Sequence, residues 1–213
     1  MIDSASLSSL MENLGAHRVS PWTPSTADDF ARLEQSTGTL PQDFRQFLAA
    51  FGGVVLGHED YNVIAPITEP CPWGSDVAPG TFYPLDAKHR YSIEKQLRTF
   101  KSRLPAGVLP LAHDAGGNLI CLDATGGFPG SVWFWDHEQR WFRDHFSGSF
   151  ENAAQELDDT GSIDARGLSV HDIIRGWARL HADRFDRPPD YMGMYKMTPT
   201  FADFLRSLHR VPY

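Results

Sequence analysis

The spacing of apolar residues predicts a well-defined helix in the first part of the chain. Apolar side chains three and four positions apart share one face of an α-helix, and such a run follows Leu40-Pro41. A proline in a first turn costs no hydrogen bond, and Gly52-Gly53 is a typical stop signal. The predicted helix therefore ends at Gly52, with an apolar face made of Phe44, Phe47, Leu48 and Phe51.

Similar patterns predict further helices along the chain. One ends at Gly15, and another begins at Thr26, where Asp29 three residues later matches a capping box. An apolar face over 93–104 predicts a helix before the central region, and 149–157 predicts one after it. Two more are predicted, one from Ser169 that Pro188-Pro189 ends and a capped amphipathic helix over 198–208.

Between these helices the pattern changes to short apolar runs separated by glycine-rich turns. The runs 108–112, 118–123 and 131–137 are rich in branched and aromatic residues, which predicts an antiparallel meander. Shorter strands are predicted at 54–56 and 62–64, and Trp141-Phe142 could close another. Helices around a central block of antiparallel strands predict an α+β fold, and a length of 213 residues suits a single domain.

The strand that contains Trp133 and Trp135 leaves two interpretations open. Its side chains alternate between the two faces of a sheet, so both tryptophans share one face. Either both faces of this strand are covered, or one tryptophan lies in a binding surface, since exposed aromatic residues anchor interfaces.

Charge and composition narrow the classes of partner. The net charge is −8, with 27 acidic and 19 basic residues, so direct binding to nucleic acid or an anionic membrane is disfavoured and a basic protein is attracted. The first residues lack the pattern of a signal peptide, no apolar run is long enough to span a bilayer, and Cys71 and Cys121 lack metal-site spacing. We therefore expect a soluble, reduced, cytoplasmic protein.

An ordered set of motifs resembles the SUKH superfamily, which unites fungal cell-wall-assembly regulators with bacterial toxin-immunity proteins. The set comprises the helix at 26–34, the Leu-Pro helix start at 40–48, Phe-Gly-Gly at 51–53, the strand at 109–114, the Gly-Asn strand at 117–123, the Trp-rich strand that ends in Asp-His-Glu at 132–138, and a closing helix at 194–205. The resemblance covers about 25–142 and 194–210, which leaves 143–193 as a helical insertion in one SUKH-like domain of residues 1–213.

The resemblance implies helices packed on a mostly antiparallel sheet, and binding rather than catalysis. Many bacterial members neutralise a cognate secreted toxin, often a nuclease, by tight association. A basic binding surface on such a toxin would complement acidic side chains here. No catalytic residue and no cofactor are expected, and the candidate partner-binding residues are Glu59, Asp60, Tyr61, Trp73, Asp76, Asp114, Asp136 and Glu138.

Part of this set comes from a segment with an unusual composition. No Lys or Arg occurs between Arg45 and Lys88, although this stretch is rich in proline and contains several acidic residues. It could form a rigid, acidic surface carrying aromatic side chains, or an ordinary loop whose aromatic side chains fold back onto the sheet. The aromatic residues concerned are Tyr61, Trp73, Phe82 and Tyr83.

The carboxylates at strand ends have a structural alternative, since Asp and Asn residues there commonly bond to turn backbone. These residues are Asp114, Asp123, Asp136 and Glu138, which as a set could instead form an acidic rim. A regulatory scaffold without a toxin is a second function. A third is a metal-dependent enzyme at the meander turns, although no recognised metal-binding spacing is present and we expect no metal site. Its ligands would come from His113, His137, His145, Asp114, Asp136, Glu138 and Asp144.

Overall fold

A computed structural model describes residues 3–20, 23–101, 103–138, 149–160, 167–184 and 187–213. The described helices and antiparallel sheets confirm the predicted α+β class. The α-helices are α1 Ser4–Asn13, α2 Ala27–Thr37, α3 Gln42–Phe51, α4 Ile93–Phe100, α5 Phe150–Asp159, α6 Val170–Leu180 and α7 Phe201–Ser207. The strands are β1 His17–Arg18, β2 Val54–Val55, β3 Tyr61–Pro66, β4 Asp76–Val77, β5 Val108–His113, β6 Leu119–Asp123, β7 Val132–Trp135, β8 Met194–Thr198 and β9 His209–Pro212.

Side-chain caps fix where most helices begin. Thr26 starts α2 in a reciprocal capping box with Asp29, as the sequence predicts. Ser169 and Asp172 start α6 in the same way, but α6 ends at Leu180, well before the prolines that were predicted to end it. Similarly, α4 ends at Phe100 and does not reach Leu104.

The predicted meander forms the first three strands of a four-stranded antiparallel sheet in the order β5-β6-β7-β8. The side chains of Trp133 and Trp135 are 2% and 1% exposed, so both faces of β7 are covered and the alternative of an exposed tryptophan is wrong. The Trp135 ring lies 5.6 Å from Phe100 of α4 and 6.3 Å from His171 of α6, between ring centroids. This sheet face is therefore buried beneath two helices.

The fourth strand corrects one prediction. Residues 194–198 were assigned to a closing helix, but they form β8 and pair with β7, with Trp135 opposite Met194. The open edge of β7 explains the difference, because a buried strand needs a hydrogen-bonding partner for its backbone. Only the later part of the predicted helix is helical, as α7.

Two smaller sheets complete the described fold. One pairs β1 with β2, and the other has the order β4-β3-β9. The predicted strands at 54–56 and 62–64 correspond to β2 and β3, whereas β9 was not predicted. A core of aromatic rings joins α3 to α7, and its members are Phe44, Phe47, Phe82, Phe201 and Phe204.

The region predicted as an insertion contains α5 and α6, which pack against each other. One carboxylate of α5 joins them, because Glu156 accepts a hydrogen bond from the Trp177 indole at 3.0 Å and lies 2.6 Å from Nε2 of His181. The strand suggested at Trp141-Phe142 lies outside the described residues. Among the described helices, none is both long and apolar enough to cross a membrane.

Candidate partner-binding surfaces

The structure divides the eight candidate residues between the two ends of β3. Glu59, Asp60 and Tyr61 lie at its start, while Asp76 pairs with Pro66 at its end. A strand rises about 3.3 Å per residue, so the two ends are roughly 16 Å apart. Trp73 precedes Asp76 by three residues, and the contacts below link Trp73 to the parts of the chain that carry Asp114, Asp136 and Glu138.

At the start of β3, residues His58, Glu59, Asp60, Tyr61 and Arg210 form what we call the β3-start surface. Nδ1 of His58 lies 3.1 Å from a carboxylate oxygen of Asp60, and the His58 ring stacks on Tyr61 at 5.7 Å between centroids. The guanidinium of Arg210 lies 4.4 Å from the centre of the Tyr61 ring, since β9 pairs with β3. Arg210 of β9 therefore adds a positive charge to a surface that was predicted to be acidic.

A surface groove of about 550 Å³ adjoins the β3-start surface. His17 of β1 and the exposed residues His58 and Glu59 contribute to its wall. The remaining lining residues are Gly15, Leu56, Gly57, Asn62 and Tyr213.

At the other end of β3, Trp73, Asp76, Asp114, His137 and Glu138 form what we call the meander-turn surface. The Trp73 ring stacks on His137 with centroids 6.4 Å apart, which links the proline-rich segment to the end of β7. The buried side chain of Asn118 then links His137 to the β5–β6 turn, because its Oδ1 lies 2.8 Å from Nδ1 of His137.

Asp114 holds this turn in shape. Its carboxylate accepts hydrogen bonds from the backbone N–H of Asn118 at 2.8 Å and from the Asn118 side-chain amide at 2.9 Å. Asp114 therefore has the turn-making role that was the structural alternative, while its side chain remains partly exposed. Asp76 and Glu138 are exposed.

Asp136 does not belong to an accessible surface. Its side chain is 0% exposed, and its carboxylate accepts a hydrogen bond from the backbone N–H of Glu138 at 2.9 Å. Its own N–H donates to the carbonyl oxygen of Gly193, which precedes β8. Because it follows the central strand β7 directly, it is enclosed by the neighbouring chain, and its prediction as a contact residue is corrected.

Two of the aromatic side chains also turn inward. Phe82 packs on Phe47 at 5.6 Å and Tyr83 stacks on His113 at 5.5 Å, so these two follow the folded-back alternative. Burial raises the pKa of the Tyr83 phenol well above its usual range. Tyr61 and Trp73 remain half-buried and are the aromatic residues that the two surfaces present.

Other contacts reduce the number of acidic groups available in the segment without Lys or Arg. Glu69 accepts the backbone N–H of Lys196 at 3.0 Å and pairs with Arg187 at 3.0 Å. The backbone N–H of Lys88 and the hydroxyl of Thr23 both donate to Asp86 and hold the pKa of its carboxyl below the usual range. The exposed acidic residues of this segment are therefore Glu59, Asp60 and Asp76.

The histidines of the meander turns are engaged by other groups. His113 stacks on Tyr83, and Nδ1 of His137 faces Asn118. Among the described residues, the group spaced closely enough to hold a metal ion is instead His58, Glu59 and Asp60, whose ligand atoms lie within 4.8 Å of one another. His145 and Asp144, the other suggested ligands, lie outside the described residues.

Comparison with known proteins identifies the family. The profile of the SMI1 / KNR4 family (SUKH-1) matches residues 24–154, which is more than half of the chain. The chain belongs to this family. The SUKH-1 match confirms the resemblance inferred from the ordered motifs, and it contains both β3 and the predicted meander.

One relative of this SUKH-1 protein is the "SPbeta prophage-derived uncharacterized protein YokK" of Bacillus subtilis (strain 168). The two are 35% identical over 126 residues, or 54% of this chain and 63% of the relative. The chain thus covers less than two thirds of that relative's length. No solved structure matches the chain.

Sequence reasoning missed two residues that shape these surfaces, His58 and Arg210, and it named a third, His137, only as a candidate metal ligand. His137 carried a signal, because it lies in the Asp-His-Glu motif at the end of the Trp-rich strand of the SUKH-1 match. Arg210 carried none, since only the pairing of β9 with β3 brings it to Tyr61.

Proposed function

We propose that this SUKH-1 protein is a non-catalytic immunity protein that neutralises a cognate bacterial toxin by direct association. The observation that carries the proposal is membership of the SMI1 / KNR4 family, which is consistent with an immunity role. This protein would act in the cytoplasm, and its partner would be a protein toxin with a basic binding surface, for instance a nuclease. Neither nucleic acid nor a membrane would be bound directly.

The meander-turn surface is the better candidate for the contact. Among the described residues no cation forms an ion pair with Asp76 or Asp114, whereas Arg210 places positive charge on the β3-start surface. Trp73 would supply a partly exposed aromatic anchor, which is common at the energetic centre of interfaces. The hydrogen bonds from Asn118 to Asp114 keep the turn rigid, so little conformational entropy is lost on binding.

The mechanism would be steric blockage of the toxin. Carboxylates of the meander-turn surface would occupy cationic positions that otherwise bind substrate phosphates. The net charge of −8 would increase the association rate with a basic partner, and this effect weakens as salt screens the charges.

The test begins with the product of the neighbouring reading frame. We expect this product to be captured by the purified protein and its toxicity to be suppressed by co-expression. The double variant Asp76→Lys/Glu138→Lys should reduce the association rate about tenfold at low salt, because electrostatic steering is reversed at the contact.

The matched control is Glu59→Lys/Asp60→Lys, which makes the same charge change at the other end of β3. It should reduce the rate much less. Equal effects of the two double variants would show that only the net charge matters and would remove the meander-turn surface from the proposal. A folded protein with no affinity for the toxin would favour the regulatory-scaffold function instead.

A further inference from the structure

A chain of side-chain contacts under α6 gathers positive charge around Trp135. The guanidinium of Arg103 lies 5.8 Å from the centre of the Phe100 ring, and that ring lies 5.6 Å from Trp135. His171 of α6 stacks on Trp135 at 6.3 Å. Arg175 follows His171 by four residues on α6, so the two side chains lie on the same helix face.

Two polar atoms of this cluster are buried without a hydrogen-bond partner among the described residues. They are Nε2 of His171 and Nη2 of Arg175. More than about nine in ten buried polar groups in proteins are hydrogen-bonded, and an ion or water is a usual explanation for an exception. Two such atoms on one helix face therefore indicate that a bound ion or water is their missing hydrogen-bond partner.

The carboxylates whose charges act on His171 and Arg175 are already engaged by other groups. Asp172 accepts hydrogen bonds from the hydroxyl and backbone N–H of Ser169 in the capping box that starts α6. Asp190 accepts a hydrogen bond from Arg179 at 2.7 Å. Both act on Arg175 only through the electric field, and neither forms a hydrogen bond with its Nη2.

The electrostatics of the cluster agree with an excess of positive charge. Burial, and then the charges of Arg103 and Arg175, lower the pKa of the His171 imidazole below its usual range, while Asp172 opposes this shift. Burial likewise lowers the pKa of Arg175. An anion bound at this position would raise the pKa of both His171 and Arg175, because it favours their charged forms.

We propose that His171 and Arg175, together with Arg103, form a binding site for a small oxyanion, either free phosphate or the phosphate group of a larger molecule. Guanidinium and imidazole N–H groups are strong donors to phosphate oxygens, and a bound phosphate would satisfy both buried donors at once. The site lies under α6 and does not depend on the proposed toxin binding.

The experiment is a titration of the full chain with inorganic phosphate at constant ionic strength, adjusted with sodium chloride. Thermal unfolding and the NMR signals of the His171 ring are the two readouts. We expect saturable stabilisation and a rise in the pKa of His171, because a nearby anion favours the protonated imidazole. A parallel titration with a nucleoside monophosphate distinguishes free phosphate from a phosphate group on a larger ligand.

Phosphate also stabilises proteins generally by its exclusion from their surface, so variants are needed. Arg175→Gln should weaken phosphate binding about tenfold or more, since it removes a charge-assisted hydrogen bond. Arg179→Gln is the matched control, because it removes an exposed arginine of the same helix and should leave phosphate affinity unchanged.

Two outcomes would overturn the proposal. One is an equal response of the wild type, Arg175→Gln and Arg179→Gln, which would mean general exclusion only. The other is a His171 ring whose NMR signals and pKa do not respond to phosphate in the wild type. This second readout requires no variant and remains decisive even if Arg175→Gln fails to fold.

Discussion

At the scale of single residues, one buried carboxylate organises the turn between β6 and β7. Asp123 is 0% exposed and accepts hydrogen bonds from the backbone N–H groups of Gly126 at 2.5 Å and Phe128 at 2.7 Å. It also accepts a hydrogen bond from the hydroxyl of Tyr191, which itself accepts one from Gly127 at 2.8 Å. Burial, and then the bond to Asp123, raise the pKa of Tyr191.

We predict that Tyr191→Phe destabilises the protein by about 1–3 kcal/mol, because it leaves the buried carboxylate of Asp123 short of one donor. Urea unfolding followed by circular dichroism would measure the loss. The control is Tyr213→Phe, which removes the hydroxyl of a 79% exposed tyrosine that bonds to Asn62. It should change stability by less than about 0.5 kcal/mol. Similar losses in both variants would contradict the role of Tyr191.

The sequence predicted the turn-making role of Asp123 but not its link to Tyr191. An aspartate at a strand end before a glycine-rich stretch is typical of a residue that bonds to local backbone. The hydroxyl of Tyr191 comes from a distant part of the chain, and no local pattern indicates such a contact.

At the scale of elements, α3 provides a cap for α7. The carboxylate of Asp43 in the first turn of α3 accepts a hydrogen bond at 2.7 Å from the backbone N–H of Ala202. The side-chain hydroxyl of Thr200 accepts a second hydrogen bond of this kind, from the backbone N–H of Asp203. Two helices that are remote in sequence are thus joined at their N-terminal ends, next to the contact between Phe44 and Phe201.

We predict that Asp43→Ala costs about 1–2 kcal/mol of unfolding free energy, as the loss of a helix cap does. Glu12→Ala serves as the control, since Glu12 is exposed in the last turn of α1, where a negative charge is unfavourable to the helix dipole. Thermal or urea unfolding should show no loss for Glu12→Ala. A stable Asp43→Ala protein would mean that Thr200 alone caps α7.

Most helices and the meander were predictable because their signals are local. Apolar periodicity and caps predicted α2, α3 and α6, and glycine-rich turns between apolar runs predicted β5 to β7. Residues 194–198 have apolar side chains that fit helix and strand alike, and the edge of β7 decides between them. The strand β9 is short and all four of its residues are exposed, so it has no alternation of buried and exposed positions that a sequence pattern could reveal.

At the scale of the whole molecule, α6 is part of the cover of the main sheet, and α5 packs against α6. Trp135 contacts α6 through His171, and Trp133 contacts Tyr191 at 5.3 Å, so residues of the predicted insertion bury one face of β7. The division into a family core and a helical insertion stays a prediction. Unfolding experiments can test this division, because an insertion that is independent of the core would unfold in a transition of its own.

We predict that Trp177→Ala, which removes a 2% exposed side chain between α5 and α6, destabilises the sheet together with these helices by about 3–5 kcal/mol. Far-ultraviolet circular dichroism and tryptophan fluorescence should give one coincident unfolding transition at a lower urea concentration. Leu180→Ala, at an exposed position of the same helix, is the control. Two separate transitions would instead show that α5 and α6 form an independent unit.

The sequence predicted the candidate site only in part, because the burial and pairing of its residues depend on the tertiary fold. Acidic and aromatic character selected Trp73, Asp114 and Glu138 as candidates, and the contacts through His137 and Asn118 bring their parts of the chain together. The sequence could not indicate that Glu69 is paired or that Asp136 is enclosed. Both depend on β8 and the chain around it.

The position of β8 also affects how the protein folds during synthesis. Ribosomes add about 5–20 residues per second, and Met194 is made long after Trp135, with which it pairs. For several seconds the nascent chain therefore carries a tryptophan-rich strand with one edge unprotected. Such edges favour aggregation, so we expect newly made chains to engage chaperones and the soluble yield to improve at lower temperature.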